Sequence, residues 1–396
     1  MLLGLRRKAG TARQCRRRVP GSRGSHVEIS IKAGKRGLRN PPVTIMSTTV
    51  LITGVTGFIA CHVLEAALAS PENYRVRGTL RSMSKKDELL ARLLPEDRER
   101  VELVEVADTA SSDLSEAVRG VSYIFHVASP FKTKVEDTER DLLKPAIDGT
   151  LNLLRYANKE PSVEKVVITS SFAANIDLHA GGLSRPGYIY TSKDWNPGTY
   201  EQAKNAQGPN AGMFAYCVSK VLAERAAWEF LEKEKPSFTL ATINPPMVYG
   251  PTIQPGIHRK TLNESSALLY NLINGSDAVP QNILPAFCHV KDVATAHVRA
   301  AELPDAMGRR YLLCGGMLSA NHAVQFIAEH YPLLQSKLPK GWQEAAQQLP
   351  DLSNVAQLDT SDAKKYLEME FRDWETTLKD CVDDLQRLEQ RPNWDA

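Results

Sequence analysis

The most regular apolar pattern in the chain begins at residue 50. Residues 50–53 (VLIT) suit a buried strand, and Phe58, Ile59, Val63, Leu64, Ala67 and Leu68 follow at helical spacing. The pattern then repeats. Strands are predicted over 74–80, 101–106, 123–127 and 166–169, separated by helical stretches at 85–94, 114–118 and 139–157. The last of these carries Leu142, Leu143, Ala146, Ile147, Leu151 and Leu154 on one face. Residues 177–211 break the rhythm with Gly and Pro and are expected to form a loop over a site. A helix at 215–232 and a strand at 239–243 resume it, and Asn244-Pro245-Pro246 ends that strand because proline cannot continue a ladder. Such alternation specifies an α/β fold, a doubly wound parallel sheet. Beyond residue 250, helical pieces at 260–273, 292–302, 320–330 and 374–388 predict a smaller, helix-rich C-terminal part. The expected division is an extension at 1–48, a core at 49–244 completed by about 286–314, and a cap from 245–285 and 315–396.

In an open parallel sheet a ligand lies beyond the carboxyl ends of the strands. Gly57, Arg81, Asp108, Ser129 and Ser171 all fall at such ends. The first turn reads G-x-x-G-x-x-A from Gly54 through Gly57 to Ala60. Glycine there lets a pyrophosphate approach free N–H groups at a positive helix end. The same spacing also suits a small-residue turn that merely packs a helix on a sheet. The second strand ends in Arg81, with Lys85 behind it and no acid before Asp87. An acid there would hold a ribose hydroxyl, whereas cations suit a 2′-phosphate, which points to NADP. On the 215–232 helix, Tyr216 and Lys220 are four apart and share a face. A neighbouring ammonium lowers a phenol's pKa from about 10 toward working pH. Ser171, 45 residues upstream, could then bond a substrate carbonyl while Tyr216 delivers a proton. Glu224 and Glu232 read as solvated helix charges, and His297 as a partly buried helix residue.

Composition narrows the function classes. The chain has 396 residues and a net charge of +3. Residues 1–48 hold twelve Lys or Arg against one acid, Glu28, so the remainder, with 37 basic and 45 acidic residues, is mildly acidic. That argues against nucleic acid as a partner. The six cysteines are scattered without a C-x-x-C pair, as in a reducing compartment, and no zinc or other metal site is expected. No run of about 18 apolar residues predicts a membrane span, and no G-x-S-x-G elbow suggests a hydrolase. The basic extension is expected to be disordered. It reads either as a mitochondrial transit peptide or as sequence upstream of a working start at Met46, with a cytoplasmic location in the second case.

Seven segments together resemble the extended short-chain dehydrogenase/reductases. They are GVTGFIACHV (54–63), HVASPF (126–131), ERDLLKPAIDGT (139–150), VVITSSFAA (166–174), DWNP (194–197), AYCVSK (215–220) and INPPMVYGP (243–251). The narrower resemblance is to dihydroflavonol reductases, cinnamoyl-CoA reductases and, nearest, yeast-type NADPH-dependent methylglyoxal and aldehyde reductases. It implies a Rossmann-type core that binds NADP(H), with a substrate-binding cap. It also implies reduction of small aldehydes or ketones to alcohols, with Ser171, Tyr216 and Lys220 as the catalytic set. By the same resemblance Gly54, Val55, Thr56, Gly57, Phe58 and Ile59 lie along the pyrophosphate, and Arg81 and Lys85 meet the 2′-phosphate. Asp108 and Thr109 would flank the adenine, Val248 and Ser265 would touch the cofactor, and Phe131, Phe172 and Met247 would line an apolar substrate pocket. Family members usually carry an acid where this chain has His289 and arginine where it has Lys291. The cinnamoyl-CoA reductase signature around the tyrosine is also missing. Competing classes are a dihydroflavonol- or cinnamoyl-type reductase, a sugar-nucleotide epimerase, which Arg81 argues against, and a non-catalytic dinucleotide-binding protein, which Tyr216 and Lys220 argue against. The expected partner is a small carbonyl compound, with no nucleic acid or membrane, and the chain is expected to be a monomer or homodimer.

Overall fold

Alternate residues of the central strands are buried in two different apolar clusters, and this fixes the layering. Val50, Ile52, Phe125, Val167 and Ala241 pack into one cluster, while Leu51, Ile124, Val166, Ile168 and Leu240 pack into another. A sheet buried on both faces needs apolar side chains at consecutive positions, which is why these strands read as near-continuous hydrophobic runs. The computed structural model describes residues 48–129, 136–280 and 285–395.

Seven parallel strands form the main sheet. They are β1 (Thr49–Ile52), β2 (Arg75–Leu80), β3 (Val101–Glu105), β4 (Tyr123–His126), β5 (Lys165–Thr169), β6 (Thr239–Asn244) and β7 (Arg310–Leu312). Their spatial order is β3-β2-β1-β4-β5-β6-β7, and every neighbouring pair is parallel. The order runs outward in both directions from the β1–β4 pair, so the strand order reverses there and opens a crevice at the carboxyl ends. Helices α1 (Phe58–Leu68) and α4 (Val290–Glu302) share the first cluster, to which they contribute Val63, Leu64, Val293 and Ala296. Helices α2 (Lys144–Lys159) and α3 (Ala211–Glu234) cover the other face with Leu153, Leu154, Ala227 and Phe230. The chain is thus the doubly wound α/β fold that its pattern predicts.

Several elements differ from their predicted outlines. The long stretch predicted at 139–157 starts with a π turn, Glu139–Leu143, before α2. The 177–211 segment holds a two-residue strand, Ile189–Tyr190, paired in parallel with Gln357–Leu358, and a capped helix, Tyr200–Lys204. Strand β7 has only three residues, too few to show a period. The C-terminal part packs its own core from Tyr249, Leu269, Phe287, Val324, Ile327, Leu378 and Leu385. A small sheet of Met247–Tyr249, Ala286–His289 and Gly316–Met317 joins it to the strand ends. His289 caps α4 there, its Nδ1 accepting from Lys291 N at 3.0 Å. Burial pushes the His289 imidazole down to about 3, so it caps as a neutral ring.

His297 is fully buried on α4 and not partly exposed as expected. Its Nδ1–H donates to Val293 O at 2.8 Å, which leaves Nε2 to accept from Thr169 Oγ1 at 2.6 Å. A satisfied core histidine of this kind needs no metal. Among the described residues no group of His, Cys, Asp and Glu could hold a metal ion, and no helix is long and apolar enough to cross a membrane. The described residues all belong to a unit spanning Met46–Ala396. The basic extension and Phe131 lie outside the described residues.

Candidate active site

A cavity of about 880 Å³ runs along the carboxyl ends of the strands. It brings together Gly57, Arg81, Asp108, Ser129 and Ser171, the five strand-end positions that the sequence marks. One end is built by the glycine turn. Gly54 sits at φ +64°, and a Cβ there would lie 3.0 Å from the Cβ of Ala128, so both the backbone and the neighbouring strand end require glycine. Its N–H donates to Thr79 Oγ1 at 3.0 Å, and Thr53 Oγ1 accepts from the N–H groups of Val127 and Ala128, pinning the β1 and β4 ends side by side. Gly57 is the N-cap of α1, and no side chain caps it. The first turn of α1 therefore presents its N–H groups to the cavity, where Thr56, Gly57, Phe58 and Ile59 form the wall. The Val55 side chain is instead wholly buried, packed against Gly78, so this residue offers only backbone.

Arg81 and Lys85 are both exposed on the cavity wall, and among the described residues neither is held in an ion pair. Asp108 and Thr109 line the same end. The Asp108 carboxylate is engaged locally, accepting from Ala110 N at 3.1 Å and Ser111 Oγ at 2.6 Å, which fixes the turn after β3. Val248 and Ser265 line the cavity from the C-terminal part, and Ser265 Oγ accepts from Asn263 Nδ2 at 2.8 Å.

The other end carries the acid–base residues. Ser171 follows β5 and caps the short turn Phe172–Ala174, its Oγ accepting from Ala173 N at 3.1 Å. Tyr216 and Lys220 enter from α3, one helical turn apart, and Tyr216 is hydrogen-bonded to Ser171. Lys220 Nζ donates to Ser129 Oγ at 2.6 Å and stands 5.6 Å from the Tyr216 ring centroid. Burial sets the protonation of both. The Lys220 ammonium is pushed down to about 8. The Tyr216 phenol is driven above its usual range, with the Ser171 hydrogen bond only partly opposing this. This differs from the expectation that the lysine charge lowers the phenol's pKa. In this geometry the ammonium faces Ser129, and desolvation of the phenol dominates. The phenol is thus held protonated near neutrality.

Phe172 and Met247 line this end together with Ile176, Leu178, Leu183 and Met213. Cys217 also lines it, and burial pushes its thiol up to about 12. The substrate end holds no arginine among the described lining residues, and its one lysine is Lys220.

Beneath Ser171 lies a group that sequence reasoning missed. Glu224, read as a solvated charge, is 2% exposed. Its Oε1 accepts from Arg310 Nε at 2.5 Å and Thr242 Oγ1 at 2.9 Å, and its Oε2 from Ser170 Oγ at 2.5 Å and Asn244 Nδ2 at 2.7 Å. A carboxylate can be buried when its lone pairs are filled in this way. The signal was its position, one helical turn beyond Lys220 on the face that Tyr216 and Lys220 already turn to the sheet. Glu232 is exposed, as expected.

The comparisons with known proteins agree with this geometry. Residues 50–314 match the model of the NAD dependent epimerase/dehydratase family. An uncharacterized oxidoreductase of Schizosaccharomyces pombe is 43% identical over 290 residues, 72% of this chain and 82% of that protein. The NADPH-dependent methylglyoxal reductase GRE2 of Saccharomyces cerevisiae is 31% identical over 354 residues, 87% of this chain and 99% of that one. The crystal structure of yeast methylglyoxal/isovaleraldehyde reductase Gre2 complexed with NADPH superposes with a TM-score of 0.75 at 30% identity, covering 87% of this chain and all of that one.

Proposed function

The chain belongs to the NAD dependent epimerase/dehydratase family, and from that premise we infer that it is an NADPH-dependent reductase of small aldehydes and ketones. The observation that carries the reading is one cavity among the described residues that brings together an uncapped helix terminus with Arg81 and Lys85 at one end and Ser171, Tyr216 and Lys220 at the other.

The residues present suit the dinucleotide. The uncapped α1 terminus faces the cavity, and Arg81 and Lys85 line it as cations that would neutralise a 2′-phosphate. Bound NADPH supplies the hydride that adds to the carbonyl carbon. Tyr216 gives the phenolic proton to the carbonyl oxygen as negative charge develops there, so the C=O becomes CH–OH and the tyrosine is left as phenolate until solvent reprotonates it. Ser171 Oγ–H donates to the same oxygen and holds it against the phenol. Lys220, whose Nζ is held by Ser129 Oγ at 2.6 Å, would donate to the nicotinamide ribose. Phe172, Met247, Ile176 and Leu183 exclude water and receive the substrate's apolar substituent. The cation-poor substrate end suits an uncharged carbonyl better than a sugar diphosphate or a CoA thioester.

The test is NADPH consumption by the purified protein with a panel of aldehydes, ketones and diketones. Turnover with NADPH should exceed that with NADH by at least about tenfold, the worth of roughly 1.4 kcal/mol of phosphate contact. Equal use of both cofactors would overturn the role given to Arg81 and Lys85.

A further inference from the structure

Buried polar groups behind the substrate wall close into a ring. Starting at Glu224, Oε2 accepts from Asn244 Nδ2 at 2.7 Å. Asn244 Nδ2 also donates to Asn175 Oδ1 at 3.1 Å, and Asn175 Nδ2 donates to the carbonyl of Asp194 at 3.0 Å. Arg310 Nη1 donates to that same carbonyl and to the carbonyl of Ser192, both at 2.7 Å, and Arg310 Nε returns to Glu224 Oε1 at 2.5 Å. The guanidinium also stacks on Trp195, its carbon 3.5 Å from the ring centroid.

The ring joins two things that catalysis must hold in register. On the sheet side it grips the strand end that carries the acid–base serine. Asn244 Nδ2 contacts the Ser171 carbonyl at 3.3 Å, and the adjacent Ser170 hydroxyl bonds Glu224. On the other side it grips the 191–195 segment. Next to that segment, Tyr190 packs edge-on against Phe172 with centroids 5.1 Å apart, and Phe172 is a wall of the substrate end. Asn196 ties the same segment back, donating to the carbonyl of Ala173 at 3.0 Å.

We propose that the Glu224–Arg310 pair and Asn175 are positioning residues, which set the substrate wall against Ser171 and Tyr216 and so fix the pose of the carbonyl. A buried ion pair is weak evidence for stability, because desolvation offsets much of its attraction. Its worth here lies in direction. The Arg310 fork reaches a carboxylate through Nε and two loop carbonyls through Nη1 in a fixed planar geometry, which a freely rotating ammonium does not impose. Groups that only position act through geometry, and a displacement of about 1 Å can cost on the order of 10²-fold in rate.

This inference rests on the reductase reading, and the experiment separates the two. Arg310→Lys keeps a cation beside Glu224 and removes the fork and the stack. It should leave the melting temperature within a few degrees of the parent and the NADPH Kd within about twofold, since the glycine turn and Arg81 are untouched. kcat/KM for the carbonyl should fall by about tenfold or more, with kcat lowered. Asn175→Ala, which breaks the ring at an uncharged member, should give the same pattern and serves if the lysine variant does not fold. Folded variants with parental kcat/KM for the carbonyl would overturn the proposal, as would losses of NADPH binding and carbonyl turnover in equal measure, the mark of a purely structural role. A parent that consumes no NADPH with any carbonyl would instead defeat the reductase reading itself.

Discussion

Lys220 is a buried ammonium whose proton is bound about as weakly as pH 8 can remove it, pushed down by burial from 10.5. Its protonation therefore changes inside an accessible pH range. kcat/KM for NADPH, which reports the free enzyme, should fall above about pH 8 as Lys220 loses its charge, and Lys220→Met should lower the plateau and abolish that limb. A limb unchanged in the variant would assign it to another group. The same shift ties stability to pH. Between about 8 and 10.5 the unfolded lysine still holds its proton while the folded one has released it. The unfolded state binds more protons there, so this group's contribution to stability rises with pH through that window. Tyr216 titrates the other way, its phenol kept protonated by burial. Tyr216→Phe should cut kcat by about 10²-fold or more with NADPH affinity retained, a split read by steady-state kinetics and cofactor titration.

At the scale of elements, the turn between β1 and α1 is the most constrained segment of the site. Gly54→Ala places a side chain at φ +64° and against Ala128. That strain is worth about 1–2 kcal/mol, so the melting temperature should drop by about 1–4 °C and the NADPH Kd should rise at least about tenfold. A variant with parental affinity would show that the turn does not bear on the pyrophosphate. This turn was legible in the sequence because its residues are contiguous: a strand, two glycines and an apolar helix face within twenty positions. Tyr216 and Lys220 were legible for the same reason. Glu224 was not, although it lies on the same helix, because its partners Arg310, Asn244, Thr242 and Ser170 come from separate strand ends and meet it only in the folded sheet. The strand pair of Ile189–Tyr190 with Gln357–Leu358 was missed on simpler grounds. Two-residue strands show no period, and these partners lie far apart in the chain.

For the whole molecule, a cavity lined from β1 through to the C-terminal part means that one ligand touches both regions. NADPH bound only by the folded state should raise the melting temperature, with about 2.7 kcal/mol of added stability at a hundredfold excess over Kd. NADH at equal concentration should raise it less, and thermal melts with each cofactor measure the difference. Equal shifts would contradict the 2′-phosphate contacts. The doubly wound class of the main sheet was readable from the alternation of strands and helices, whereas the spatial order of its strands comes only from the folded chain. The arrangement of residues beyond 250 was not, because its short helices carry no signal for which faces meet.

A vessel for reactive carbonyls must survive its own contents. Aldehydes and dicarbonyls attack thiolates, and Cys217, beside the proton donor, forms part of the wall. Its thiol is pushed up to about 12 by burial, which keeps it protonated at neutral pH. Cys61 is buried and similarly raised, and Cys288, Cys314 and Cys381 are raised as well. Among the described residues, the burial that packs these cysteines also keeps their thiols protonated and so poor nucleophiles toward the electrophiles that enter the cavity.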